Sequence, residues 1–114
     1  MFVVVVDFFV QPSFAKQFEE VVLKNASDSR ELEPECVVFD VCTSSQEGHF
    51  YLYEVYTSEA AFGEHLQAEH FLKFSELTAS WVDKKDVKTY KLLGNAERAE
   101  QSRIDAARQA PSVA

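Results

Sequence analysis

Cysteine, glycine, histidine and positive charge are all scarce in this chain, and each shortage narrows what it can be. There are two cysteines, Cys36 and Cys42. If one strand carries both, their Cα atoms lie roughly 20 Å apart and cannot bridge. A disulfide framework is therefore excluded, and a reducing cytoplasm is the expected setting. No cysteine or histidine cluster has zinc-site spacing, and no glycine-rich loop is present to cradle a dinucleotide. The 11 Lys and Arg residues face 19 Asp and Glu, a net charge of −8. Such a chain repels a phosphate backbone and an anionic membrane alike, so neither nucleic acid nor membrane is an expected partner. Long hydrophobic runs are also missing. The opening "MFVVVVDFFV" lacks a basic leader, meets Asp7 and then Pro12, and is too short to span a bilayer.

Aromatic residues, by contrast, are plentiful, with ten Phe and four Tyr among 114 residues. A chain of this length fits one domain and buries roughly two-thirds of its unfolded surface. The rings can pack a core or line an apolar pocket.

Strand and helix patterns alternate along the chain. Residues 2–10, dense in Val and Phe, read as a strand. Pro12 suits a first helical turn, and Phe14, Phe18, Val21, Val22 and Asn25 then recur at helical spacing in a helix that runs to about Leu32. "CVVFDVC" and "HFYLYEVY" form a hairpin around the turn "TSSQEG". Thr57 or Ser58 caps a second helix, with Glu59 in its first turn and an apolar stripe of Ala61, Phe62 and Leu66. A further helical stretch over 70–80 places Phe71, Phe74, Leu77 and Trp81 on one side, and "VKTYKLL" supplies the last strand before Gly94. The order β-α-β-β-α-β predicts an α+β, ferredoxin-like fold, a four-stranded antiparallel sheet with its helices on one face.

The first strand is apolar at both parities, so both sheet faces call for burial. Helices can cover one, and a second copy of the sheet is the expected cover for the other, giving a symmetric homodimer in the form of a dimeric α+β barrel. The domain is expected over 1–94. Residues 95–114, polar and rich in Ala, Arg and Glu, read as an exposed helix or a tail.

Three polar residues break the inward pattern. His65 stands three residues after Phe62 and four after Ala61, on their stripe. Alone it would read as a core histidine satisfied by one hydrogen bond. Asn25 continues the stripe of the first helix, where it could equally bond nearby backbone. Glu54 shares its strand parity with Phe50, Leu52 and Tyr56, and a carboxylate buried alone costs several kcal/mol, on the order that drives it to find a partner or a proton. Three such residues on three elements, all facing one helix–sheet layer, sketch a polar patch in an aromatic pocket. Tyr53 has the opposite parity and suits the dimer-facing side; His70 and Phe71 suit the pocket's rim. Asp7 and Asp40 read as structural acids near strand ends.

This order of elements, and the run "FYLYEVYTSEAAFGEHLQAEHFLKF", resemble the antibiotic biosynthesis monooxygenase superfamily over residues 2–93. The shared pattern is an aromatic-Glu pair ending a strand, a short helix carrying His, then His-Phe, matched by Tyr53-Glu54, His65 and His70-Phe71. The likeness is nearest to the branch of quinol monooxygenases and of the enzyme processing phosphorylated autoinducer-2, where Asn25 also has a counterpart. The resemblance implies O₂ chemistry without metal, flavin or haem, on a quinol-, phenol- or anthrone-like small molecule. It gives His65 proton transfer, with Glu54 orienting it or holding its charged form and Asn25 donating to an oxyanion; Tyr53, His70 and Phe71 would contact substrate. The same residues would serve an isomerase acting on a hydroxy-ketone, and a non-catalytic dimer could use the same pocket to hold an aromatic metabolite.

Overall fold

The structure, a computed structural model, describes residues 1–94. The predicted helix or tail over 95–114 lies outside the described residues. Strand β1 (Phe2–Val10) leads through a 3₁₀ turn at Pro12–Phe14 into helix α1 (Ala15–Leu32). The hairpin β2 (Cys36–Thr43) and β3 (His49–Tyr56) follows, then α2 (Glu59–His65), α3 (Glu69–Thr78) and β4 (Val82–Lys91). The sheet order is β2-β3-β1-β4, every neighbouring pair antiparallel. This is the expected ferredoxin-like arrangement, with the second helical segment split in two.

Local chemistry explains the junctions. Pro12 fixes the backbone entering the first helical turn and has no N–H to leave unpaired. Ser58 caps α2, its Oγ accepting from the Ala61 N–H at 3.1 Å, and Glu59 follows where the helix dipole favours a carboxylate. Gly48 closes the β2–β3 turn at φ +82°, and a Cβ there would lie 2.2 Å from the Val10 carbonyl oxygen. Only glycine fits that approach.

The core lies between the helices and the sheet face that carries Val4, Val6, Phe8 and Val10. Phe18 of α1 sits at its centre, 5.1 Å from the ring of Phe8, 4.8 Å from Phe50 and 5.7 Å from Phe74. Full burial of such a ring contributes about 1.5–3 kcal/mol, so these four fasten α1 and α3 to the sheet.

Three expectations need correction. Leu77 is 52% exposed, whereas Phe74 and Thr78 turn inward; α3 starts afresh at Glu69, and that start sets its phase. Strand β4 begins at Val82, five residues before the apolar signal, because the polar run Asp83–Asp86 lies on an edge strand. Asp7 is not near a strand end. It sits mid-strand on the face away from the helices, 2.6 Å from Nε2 of His49.

Candidate active site

Helical spacing in α1 and α2 and alternation in β3 bring Asn25, His65 and Glu54 to one place. All three are almost fully buried, at 3%, 2% and 3% exposure, and all line one small cavity of about 30 Å³ walled by Phe39, Phe62, Phe71 and Phe74.

Glu33, one residue past α1, completes the polar arrangement. Its Oε2 accepts from Nδ1 of His65 at 2.8 Å and from Nε2 of His70. The hydrogen bond assigns the proton of a neutral His65 to Nδ1 and leaves the Nε2 lone pair free. Burial pulls the pKa of His65 below its ordinary value, against the opposing pull of Glu33, so the ring is held neutral. Glu33, rather than Glu54, therefore orients the imidazole.

Glu54 approaches from the other side, its Oε1 4.0 Å from Nε2 of His65, too far for a hydrogen bond. That oxygen accepts from the Tyr56 hydroxyl at 2.5 Å. Burial pushes the Glu54 carboxyl up to about 7, against the lowering influence of the Tyr56 hydrogen bond and of Lys85. Tyr56 is itself pushed well up by burial and by Glu54, and stays a donor. Asn25 Oδ1 is buried without any hydrogen-bond partner, an unsatisfied group aimed at the same place.

A wider groove of about 570 Å³ runs between α1 and α3, lined by Val21, Leu32, His70 and Leu77. Asn25 and Phe74 line both spaces. The inner cavity has room for about one water, whereas the groove has the size of a small-molecule site.

Glu33, His65 and His70 also gather their ligating atoms within 4.8 Å, the one such group found among the described residues. The Glu33 oxygen already lies within hydrogen-bonding reach of both ring nitrogens, where a metal ion would have to sit. The trio thus fits a closed hydrogen-bonded cluster better than a metal cage.

The family model for antibiotic biosynthesis monooxygenases matches residues 1–77. The chain belongs to that family. Among solved structures it is similar to "Putative antibiotic biosynthesis monooxygenase from Nitrosomonas europaea", at 26% identity and TM-score 0.78, covering 82% of this chain and all of that one. A protein of the same description from Caulobacter crescentus is 25% identical, with TM-score 0.78 and coverage of 82% and 90%. Rv0793 from Mycobacterium tuberculosis, at 22% identity, TM-score 0.77 and coverage of 83% and 97%, shares the fold. None of the curated proteins matches this chain.

Within this family member the sequence-predicted residues divide clearly. Asn25, Glu54, His65 and Phe71 meet at the cavity, and His70 reaches Glu33 from the groove side. Tyr53 does not join them; it pairs with Val5 and Asp40 on the opposite sheet face. Two residues of the site carry no periodic signal in the sequence, Glu33 at a helix end and Lys85 on the edge strand.

Proposed function

We propose that the protein is a monooxygenase that oxidises an electron-rich phenol, quinol or anthrone with O₂, the substrate itself supplying all the electrons. The observation that carries this reading is His65: a buried, neutral imidazole whose Nδ1 is tied to Glu33 and whose Nε2 is left free beside an aromatic-walled cavity. That is the form in which an imidazole accepts a proton.

His65 removes the proton, leaving an anion to which Asn25 can donate. The anion passes one electron to O₂, and the radical pair recombines to a carbon-bound peroxide. The peroxide takes a proton back and then loses water, leaving a new carbonyl. One oxygen atom enters the substrate and the other leaves as water, so no external reductant is consumed. The apolar walls keep bulk water away from the radical pair, and the groove between α1 and α3 offers room for the part of the substrate that does not react.

The working unit in this reading is the 1–94 domain acting as a cytoplasmic homodimer. Val5, Phe9, Tyr51 and Tyr53 are only partly buried on the sheet face away from the helices, and a second sheet would cover them. Tyr53 would then serve the interface. No described helix is long and apolar enough to cross a membrane.

The test is oxygen uptake by purified protein on a panel of quinols and anthrones, with chelator present. Uptake matched by a product one oxygen atom heavier and two hydrogens lighter supports the reading. Conversion of a hydroxy-ketone without oxygen uptake would make the protein an isomerase, and ligand binding without any turnover a binder.

A further inference from the structure

Lys85 is the charged group of the cavity that proton transfer leaves unexplained. It stands mid-way along β4 opposite Phe8, and it lines the same cavity as Asn25, Glu54 and His65. Its Nζ lies 5.4 Å from the ring centre of Phe8 and 5.7 Å from that of Phe71. The residue as a whole is exposed, yet burial of its ammonium pulls its pKa below the ordinary lysine value, with Glu54 opposing. Among the described residues no carboxylate oxygen forms an ion pair with it.

The cavity therefore brings together a cation without a paired carboxylate, the partnerless Oδ1 of Asn25, and the free Nε2 of His65. An Asn amide can present its N–H₂ in place of its oxygen, since the two orientations have the same shape. The chemical complement is the hydroxyl end of a flat molecule lying in the groove, an oxygen that becomes negative inside the small cavity. Glu54 is the competing anion, and when protonated it leaves Lys85 to the ligand.

Resting on the proton-abstraction reading above, we propose that Lys85 is a catalytic residue whose ammonium holds the oxyanion formed when His65 takes the substrate's hydroxyl proton. The O–H bond breaks, the proton passes to Nε2 of His65, and the electron pair stays on the oxygen beside Lys85. An oxyanion buried among phenylalanines without a counter-charge would be strongly disfavoured, and a fixed cation aimed at developing charge costs no reorganisation during the reaction. Lys85 thus restricts the substrate to molecules that ionise at oxygen.

A chromogenic phenol tests this without turnover. Bound 4-nitrophenol is titrated by its phenolate absorbance in wild type, Lys85→Met, Lys85→Arg and, as a charge control on exposed α1 surface, Lys16→Met. An opposite charge at this range lowers an acid's pKa by one unit or more, so the wild type should raise the ratio of bound phenolate to bound phenol about tenfold or more at fixed pH. Lys85→Met should erase that gain, Lys85→Arg keep most of it, and Lys16→Met leave it unchanged. Melting curves establish that each variant is folded, and Lys85→Gln replaces the Met variant if that one is not. An equal phenolate fraction in Lys85→Met and wild type overturns the proposal, as does a wild type that does not perturb the probe. A clear probe shift with no oxygen uptake on any quinol would instead sink the monooxygenase reading and leave Lys85 standing. Undiminished uptake by Lys85→Met would do the reverse.

Discussion

Replacing Glu54 by Gln should make the protein more stable, and increasingly so as pH rises. The carboxyl is 3% exposed, and burial raises its pKa from the ordinary 4.5 to about 7. The folded state therefore binds this proton more tightly than the unfolded chain does. Its penalty is absent below pH 4.5, grows as pH climbs through the window between the two values, and is complete above pH 7. At about 1.36 kcal/mol per pKa unit, the penalty at pH 8 is on the order of 3 kcal/mol, and at pH 5 it is below about 1 kcal/mol. Gln has the same shape, can accept from the Tyr56 hydroxyl, and does not titrate. Urea unfolding of wild type and Glu54→Gln at pH 5 and pH 8 isolates the effect, because every other titrating group cancels in the difference. The advantage of the Gln variant should widen by about 2.5 kcal/mol between those two pH values. A constant difference would show that the carboxyl is not held up by burial, and with it would fall the account of Glu54 as a group shared between proton-bound and ionised forms.

Further outcomes concern His65, Glu33, the dimer and Gly48. His65→Ala should cut turnover by roughly 10² or more with little change in melting. In wild type the acid limb of kcat/KM should fall below the ordinary histidine range, since burial favours the neutral ring. Glu33→Gln should lower kcat by roughly 10² or more with KM nearly constant, because a Gln N–H₂ turned toward Nδ1 would move the ring proton to Nε2 and block the base. Sedimentation should give a particle of about twice the 13.0 kDa chain mass; a folded monomer at micromolar concentration would refute the sheet-on-sheet dimer. Gly48→Ala should destabilise the fold by about 2 kcal/mol or more, from the positive φ and the clash with the Val10 carbonyl, and an unchanged urea midpoint would count against that turn geometry.

The residues legible in the sequence were those whose position in a regular element fixes a direction. Asn25, Glu54 and His65 each interrupt an apolar period, and periodicity alone places all three in one layer. Glu33 obeys no period: it sits just past the end of α1 and before Pro34, and only the tertiary approach of α2 and α3 gives it two histidines. Lys85 is hidden for another reason. On an edge strand reading Asp83-Lys84-Lys85-Asp86, both faces look polar, and only pairing with Phe8 shows which lysine turns inward. The inward turn of Thr78 was likewise out of reach, because the phase of α3 depends on where α2 stops.

That stop has a consequence of its own. Five residues separate His65 from His70, and on an unbroken α-helix five residues turn through about 140°, pointing the two rings to nearly opposite sides. They converge on one carboxylate only because α2 ends at His65 and the extended backbone of Ala68 (φ −69°, ψ 141°) restarts the helix at Glu69. The link Leu66–Ala68 thus works as a angular adapter. Its length, more than its composition, is what the site depends on: one residue added or removed would change the phase of α3 relative to α2, taking His70 off the Glu33 carboxylate and shifting Phe74 against Phe18.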